Sequence, residues 1–261
     1  MSAGADPLAP VVARVAPTPG RTRVVAVAGA VAVGKSTIAA ELARGLRRQG
    51  ATVEVLSTDG FLWPNAVLAD RGLLDRKGRP QTYDLDRLAA LVTDARAGAP
   101  ELSAPVYSHQ RYDVLDDPVA FARPDVLVIE GVVALQRRFG DLGVYVDAEV
   151  ADVERWFVAR MHDLVRAATD DPDSFYSGWA DLGPDAVTEL AVAVWTEVNL
   201  PNLVEDIAPT AARADVVVHK GPDHAVRAVT WVDPAAGPAD ATRGRAGPSP
   251  GPQAPGGGVE P

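Results

Sequence analysis

The chain of 261 residues contains no cysteine. That absence excludes disulfide staples, thiolate catalysis and cysteine-based metal sites, and it suits a reducing compartment. An excess of basic residues is also missing. The formal charge of −10 argues against a general nucleic-acid or membrane surface, either of which favours a basic face. The N-terminus lacks the basic start and apolar stretch of a signal peptide, and Pro7, Pro10, Pro17 and Pro19 interrupt it. No apolar run is long enough to span a bilayer. A cytoplasmic protein without nucleic-acid or membrane partners is expected. No internal repeat is evident, and the remaining bulk figures, 47% hydrophobic and 23% charged, are those of a globular chain with a substantial core.

What is present is a phosphate-binding loop. Gly29-Ala30-Val31-Ala32-Val33-Gly34-Lys35-Ser36-Thr37 fits the pattern G-x-x-x-x-G-K-[ST]. An apolar run, Val24–Ala28, precedes it and a helical stretch from Ser36 to Arg48 follows, which is the strand–loop–helix setting the motif needs. The two glycines permit a tight loop whose N–H groups face a phosphate, and the helix adds its N-terminal dipole at the same point. Lys35 reaches the outer phosphates in this arrangement, and the Ser36 hydroxyl ligates Mg²⁺. The motif predicts nucleotide binding and leaves the fate of the phosphate open.

Residues 1–20 read as a flexible Pro/Ala-rich leader, residues 21–233 as the folded domain, and residues 234–261 as a disordered Pro/Gly-rich tail. Inside the folded part, strands are expected at Val24–Ala28, Thr52–Ser57, Val126–Ile129, Val144–Val146 and Val216–Val218. Helices are expected at Ser36–Gln49, Asp84–Ala97, Asp152–Ala168 and Pro184–Asn199. This alternation predicts an α/β fold, a mostly parallel sheet with helices on both faces. Ligands then gather at the carboxyl ends of the strands.

The residues at those ends are informative. Asp59, after the second strand, either accepts a proton from a substrate hydroxyl, helps place Mg²⁺, or caps an Asx-turn beside Gly60. Glu130, ending an apolar strand opposite the loop, stands where a Walker B carboxylate reaches the metal, or is a charge facing water. The stretch Pro105–Asp113 is richer in polar and aromatic side chains than a connector needs. Arg160 alone reads as a solvated helix charge, Asn199 as a helix terminator before Pro201, and His224 carries no signal by itself. The guanine-reading Asn-Lys-x-Asp stretch and the Leu-Ser-Gly-Gly signature of transport ATPases are both absent. A small-molecule kinase is the leading class.

Taken together, Gly29–Thr37, Ser57-Thr-Asp-Gly-Phe-Leu62, Arg71-Gly72-Leu73, Lys77-Gly78, Tyr83-Asp84, Ala104-Pro-Val-Tyr-Ser-His109, Tyr112-Asp113 and Glu130-Gly131 resemble the prokaryotic type I pantothenate kinases. The similarity continues through Tyr145–Ala148, Asp171–Ser174, Trp195, Glu197, Asn199, Asn202-Leu203 and His224-Ala-Val226. The resemblance implies a P-loop NTPase fold of the phosphoribulokinase/uridine kinase type. It implies phosphorylation of the primary hydroxyl of pantothenate with ATP and Mg²⁺, and a homodimer. It makes Lys35, Asp59 and Arg160 catalytic, assigns Tyr107, His109, Tyr112 and Asn199 to pantothenate together with Asp59 and Arg160, and sets His224 against adenine. Ser36 and Glu130 fall to the metal. The chain departs from the family in a short section before the loop, in a short segment after Gly131 without the usual Asn, and at Ala30, Phe157 and Ala40. There the family has Ser, Tyr and an Arg that helps bind coenzyme A as a feedback inhibitor. A kinase for a nucleoside or sugar hydroxyl, and a non-catalytic nucleotide-binding relative, are the alternatives.

Overall fold

A computed structural model describes residues 6–15 and 17–233. Five parallel strands and one antiparallel edge strand form the central sheet. They are β1 (Arg23–Gly29), β2 (Val53–Ser57), β7 (Val126–Glu130), β8 (Leu142–Asp147), β9 (Val216–Lys220) and β10 (Val226–Trp231), in the order β10-β9-β8-β1-β7-β2. Two small antiparallel pairs lie outside it: β3 (Glu101–Ala104) with β6 (Val119–Ala122), and β4 (Tyr107–Ser108) with β5 (Asp113–Val114). β7 is buried at every position and β1 from Val24 onward, because helices cover both faces; this is why both strands read as unbroken apolar runs.

The covering helices include α2 (Lys35–Arg48), α4 (Leu85–Ala97) and α5 (Val150–Ala167), with α3 (Asn65–Asp70) and α6 (Pro184–Val194) nearer the carboxyl edge. Ile38, Ala39, Leu42, Ala43 and Leu46 put one face of α2 into the core at helical spacing. Asp84 caps α4 by accepting from the Arg87 N–H at 2.9 Å, and Gly98 closes it in the left-handed conformation. The parallel register sets Ser57 of β2 and Val27 of β1 beside Glu130 of β7. The ends of three strands therefore meet at one point.

Three expectations are corrected. The leader contains a helix, α1 (Ala9–Arg14), and Leu8, Val11, Val12 and Val15 join the hydrophobic core, with Val12 resting on Gly45 of α2. Their burial supplies the apolar area that a flexible leader lacks. The strand β10 went unread because this edge strand is mostly exposed, with only Val226 and Val229 partly buried, so it shows no apolar run. The last helix does not stop at Asn199. From Trp195 to Asn199 it winds as a π-helix, then runs on past Pro201 into a second π-wound stretch, Leu203–Ile207. The wider turns relieve the proline clash that would otherwise end it. The disordered tail falls on residues 234–261, outside the described residues.

Replacing Val11 by Asp puts a carboxylate where the side chain is fully buried. The expected loss is about 3 kcal/mol or more of folding stability. A urea-unfolding midpoint unchanged from wild type would show that α1 adds nothing to the folded unit.

Candidate functional site

The phosphate loop bends sharply between β1 and α2. Gly29 has φ of 148°, and a methyl group there would lie 2.5 Å from the Val146 carbonyl oxygen, so only glycine lets β1 and β8 close at the loop. Ala32 and Gly34 follow in left-handed conformations, at φ of 60° and 89°. Lys35 opens α2 and its ammonium folds back to donate to the Ala30 carbonyl at 2.8 Å. Burial lowers the Lys35 pKa, while the charges of Glu130 and Asp59 oppose that shift. The Ser36 hydroxyl donates to Glu130 Oε1 at 3.1 Å. Glu130 is buried and its pKa is raised by desolvation, with Lys35 pulling the other way.

Asp59 lies in a single 3₁₀ turn, Thr58–Phe61, directly after β2. Ser57 Oγ accepts the Asp59 N–H, so the turn needs no Asx cap from Asp59 itself. The Asp59 carboxylate instead accepts from the Tyr83 hydroxyl at 3.1 Å. Burial holds Tyr83 well above the ordinary phenol pKa, so the phenol stays a donor. Gly60 allows the next element in: any side chain there would collide with the Pro105 carbonyl, which leads into the Tyr107 loop.

A cavity of about 380 Å³ opens beside this carboxylate, lined among others by Asp59, Lys77, Tyr107, His109, Arg160 and Asn199. The ring of Tyr107 meets His109 edge-on at 5.2 Å and Tyr112 at 6.4 Å. Tyr112, at a φ of 50°, stacks on Phe175 at 4.4 Å. Arg160 shares the core-facing side of α5 with Trp156 and Phe157, and its guanidinium reaches His109 Nε2 at 3.3 Å. A guanidinium only donates, so this nitrogen accepts and the His109 proton sits on Nδ1. Burial and the Arg160 charge both lower the His109 pKa, in keeping with a neutral ring. Burial also raises Tyr107 and Tyr112, and pushes Tyr176 up to about 12. Asn199 enters from the π-wound turn, and extra turns of this kind often serve functional sites. On the far side of the loop, exposed His224 stacks on Trp156 with ring centres 3.6 Å apart.

Of the side chains that the sequence pointed to, Asp59, Tyr107, His109, Tyr112, Arg160 and Asn199 line the cavity, while Lys35, Ser36 and Glu130 lie together at the ends of β1 and β7 and His224 lies near Gly34 of the loop. The site also holds residues that were not assigned to it. Lys77 donates to Asn65 Oδ1 at 2.6 Å and to the Tyr112 carbonyl, and lies 4.0 Å from the Tyr112 ring centre. Tyr83 lines the cavity as well, and Lys220 lies against the loop at Gly34. Lys77 and Tyr83 sit in loops whose spacing carries no period. Lys220 ends a strand, so the rule that exposed Asp59 and Glu130 could have found it.

Residues 24–162 match the Phosphoribulokinase / Uridine kinase family. Among curated relatives, a pantothenate kinase from Sorangium cellulosum is 46% identical over 222 residues, spanning 80% of this chain and 72% of the relative. One from Cutibacterium acnes is 44% identical over 226 residues, spanning 80% of this chain and 69% of its own length. Among solved structures, a Silicibacter protein described as a fructose transport system kinase superposes with a TM-score of 0.61 at 27% identity. The superposition covers 76% of this chain and 92% of that one. No helix among the described residues is long and apolar enough to cross a membrane.

Burial brings the Lys77 pKa down to about 8 from 10.5. Below the lower value both native and unfolded chains carry the proton. Between the two the unfolded chain binds more protons, so this group's contribution to stability rises with pH. The stability of wild type relative to Lys77→Met is therefore expected to increase between pH 8 and pH 10.5 in urea titrations. A difference that stays flat over that window would contradict the burial of this ammonium.

Proposed function

The chain belongs to the Phosphoribulokinase / Uridine kinase family and, within it, to the pantothenate kinases, and from that membership we propose that it transfers the γ-phosphoryl group of ATP to the primary hydroxyl of pantothenate. The observation that carries the acceptor side is the Asp59 carboxylate, held by the Tyr83 hydroxyl at the edge of a cavity next to Lys35. In this reading Asp59 accepts the proton of the attacking hydroxyl and aims its oxygen at the phosphoryl group. Tyr107, His109, Tyr112 and Asn199 hold the rest of the acceptor, a mostly polar molecule with one carboxylate, through hydrogen bonds and ring contacts. Lys35 and Arg160 stabilise charge on the phosphoryl oxygens in the transition state. Gly29–Thr37 cradles the phosphates, and His224 offers its open face to adenine.

The pair Ser36 Oγ and Glu130 Oε1, 3.1 Å apart, fits Mg²⁺ in donor chemistry: one hydroxyl and one carboxylate, both hard oxygens, leaving room for phosphate oxygens and water. When bound, Mg²⁺ supplies charge neutralisation across the outer phosphates. The raised Glu130 pKa agrees with a carboxylate awaiting a cation, since burial disfavours its charge until one arrives. We place the reaction in the cytoplasm, with the homodimer taken over from the family.

A second reading rests on Phe157. It is buried beside Trp195 and lines the cavity without a hydroxyl, which leaves one fewer donor for the acceptor. A nucleoside or sugar hydroxyl is then the acceptor.

ADP release assayed with pantothenate, uridine and simple sugars separates the two. Pantothenate-stimulated turnover is expected, and Asp59→Asn should lower kcat by roughly 10²- to 10⁴-fold with a small change in KM. Turnover with uridine or a sugar and none with pantothenate overturns the first reading. Ala40 is exposed on α2, where the resemblance calls for an Arg. Coenzyme A is therefore expected to inhibit weakly, and strong inhibition competitive with ATP would remove Ala40 from the explanation.

A further inference from the structure

Lys220 is the last residue of β9, and its side chain turns back over the phosphate loop. A methyl group added at Gly34 would collide with its ammonium nitrogen, so that nitrogen lies directly against the loop backbone one residue before Lys35. The residue is only 8% exposed. Among the described residues its hydrogen-bond partner is His224 Nδ1, at 3.3 Å. The ammonium donates, so the His224 ring is neutral at Nδ1 and carries its proton on Nε2. No carboxylate among the described residues forms an ion pair with Lys220, and Glu41 acts on it only from a distance. The Trp156 ring, 5.7 Å from the nitrogen, provides partial compensation.

A buried ammonium without a counter-charge is costly, and proteins normally pair such groups. Here the missing partner has an evident place. The nitrogen sits between the loop that Lys35 serves and the His224–Trp156 stack, along the path from phosphate to base. Lys35 folds over the loop towards Ala30 and Glu130, on the side of the outer phosphates. Lys220 is left on the side of the base.

We propose that Lys220 is a second phosphate-contacting cation of the nucleotide site, pairing with the phosphate nearest the base. This rests on the reading of Gly29–Thr37 and His224 as the nucleotide site, but not on the identity of the acceptor.

The test is calorimetric binding of ADP, AMP and adenosine to the full chain, wild type against Lys220→Met and Lys220→Gln, with folding checked by thermal melting. The loss of a charge-assisted contact should weaken ADP and AMP by roughly 10- to 100-fold. Adenosine should change by less than about threefold, since it lacks the phosphate that Lys220 meets. ADP affinity within about twofold of wild type in a folded variant overturns the proposal. Equal weakening of adenosine and ADP also overturns it, by showing that Lys220 acts through the base stack alone. Should both variants fail to fold, lysine acylation of wild type read by mass spectrometry decides. AMP must protect Lys220 more than adenosine does, and equal protection rejects the contact. A protein that passes this test yet does not phosphorylate pantothenate would sink the proposed reaction and leave the Lys220 assignment standing.

Discussion

The ammonium of Lys35 is taken out of water at the point where three parallel strands end, and the rest of the site is arranged around that fact. Burial works against its charge, and the carboxylates of Glu130 and Asp59 oppose that shift in part. The dependence is mutual, because burial also works against the Glu130 charge and Lys35 offsets it. Neither group is comfortable alone. Their pairing requires β1 and β7 to end in register and β2 to deliver Asp59 one short turn later. The parallel sheet does this through the alignment of Val27 and Ser57 with Glu130. A slip in β7 would leave the Glu130 charge buried without the compensating field of Lys35, which is costly. The apolar strands that look like plain core are therefore the part that holds the chemistry in place.

The cavity beside Asp59 is built on a different principle. Its phenols, Tyr83, Tyr107, Tyr112 and Tyr176, are all held in the protonated form by burial, so each can donate. Desolvation and the Arg160 charge both lower the pKa of its histidine, His109. The cavity is therefore a set of neutral hydrogen-bonding groups flanked by the cations Lys77 and Arg160, which suits a polar molecule that carries no more than one negative charge. The π-wound turn sets Asn199 into this wall, and Lys77 ties Tyr112 to Asn65 beneath it. The Tyr112 carbonyl thus meets a cation just where its residue adopts an uncommon left-handed backbone.

Local pattern made the loop legible: an apolar strand, a glycine-framed turn and a helix are all encoded within about twenty-five neighbouring residues. Asp59 and Glu130 followed from the rule that strand ends carry function. Family resemblance, not local pattern, singled out Arg160, Asn199 and His224. What escaped was either tertiary or masked by proline. Leu8, Val11, Val12 and Val15 stand at helical spacing, yet Pro7 and Pro10 made the stretch read as a breaker although Pro10 sits in the first turn, where it is tolerated. Pro201 likewise suggested an end to the last helix, and the π-turns that absorb it have no sequence signal of their own. Tyr83 reaches Asp59 across twenty-four positions and Arg160 reaches His109 across fifty-one, separations over which no periodicity speaks.

The charge distribution connects these parts. The chain carries a net charge of −10, yet Lys77 and Arg160 line the cavity, Lys35 stands near Asp59 beside it, and Lys220 lies against the phosphate loop at Gly34. At physiological ionic strength the screening length is about 8 Å, so distant surface carboxylates contribute little inside the cleft. The near cations act through a low-dielectric wall and are screened far less. A small phosphate ester that fits the cleft therefore meets a locally positive field. A large polyanion, which must lie along the outer surface, meets a negative one. Discrimination between the two follows from geometry and screening together, and it explains how an acidic protein can hold a highly charged nucleotide. The same argument gives a reason for the burial of Lys77 and Lys220: an exposed lysine at this net charge would be screened and surrounded by carboxylates.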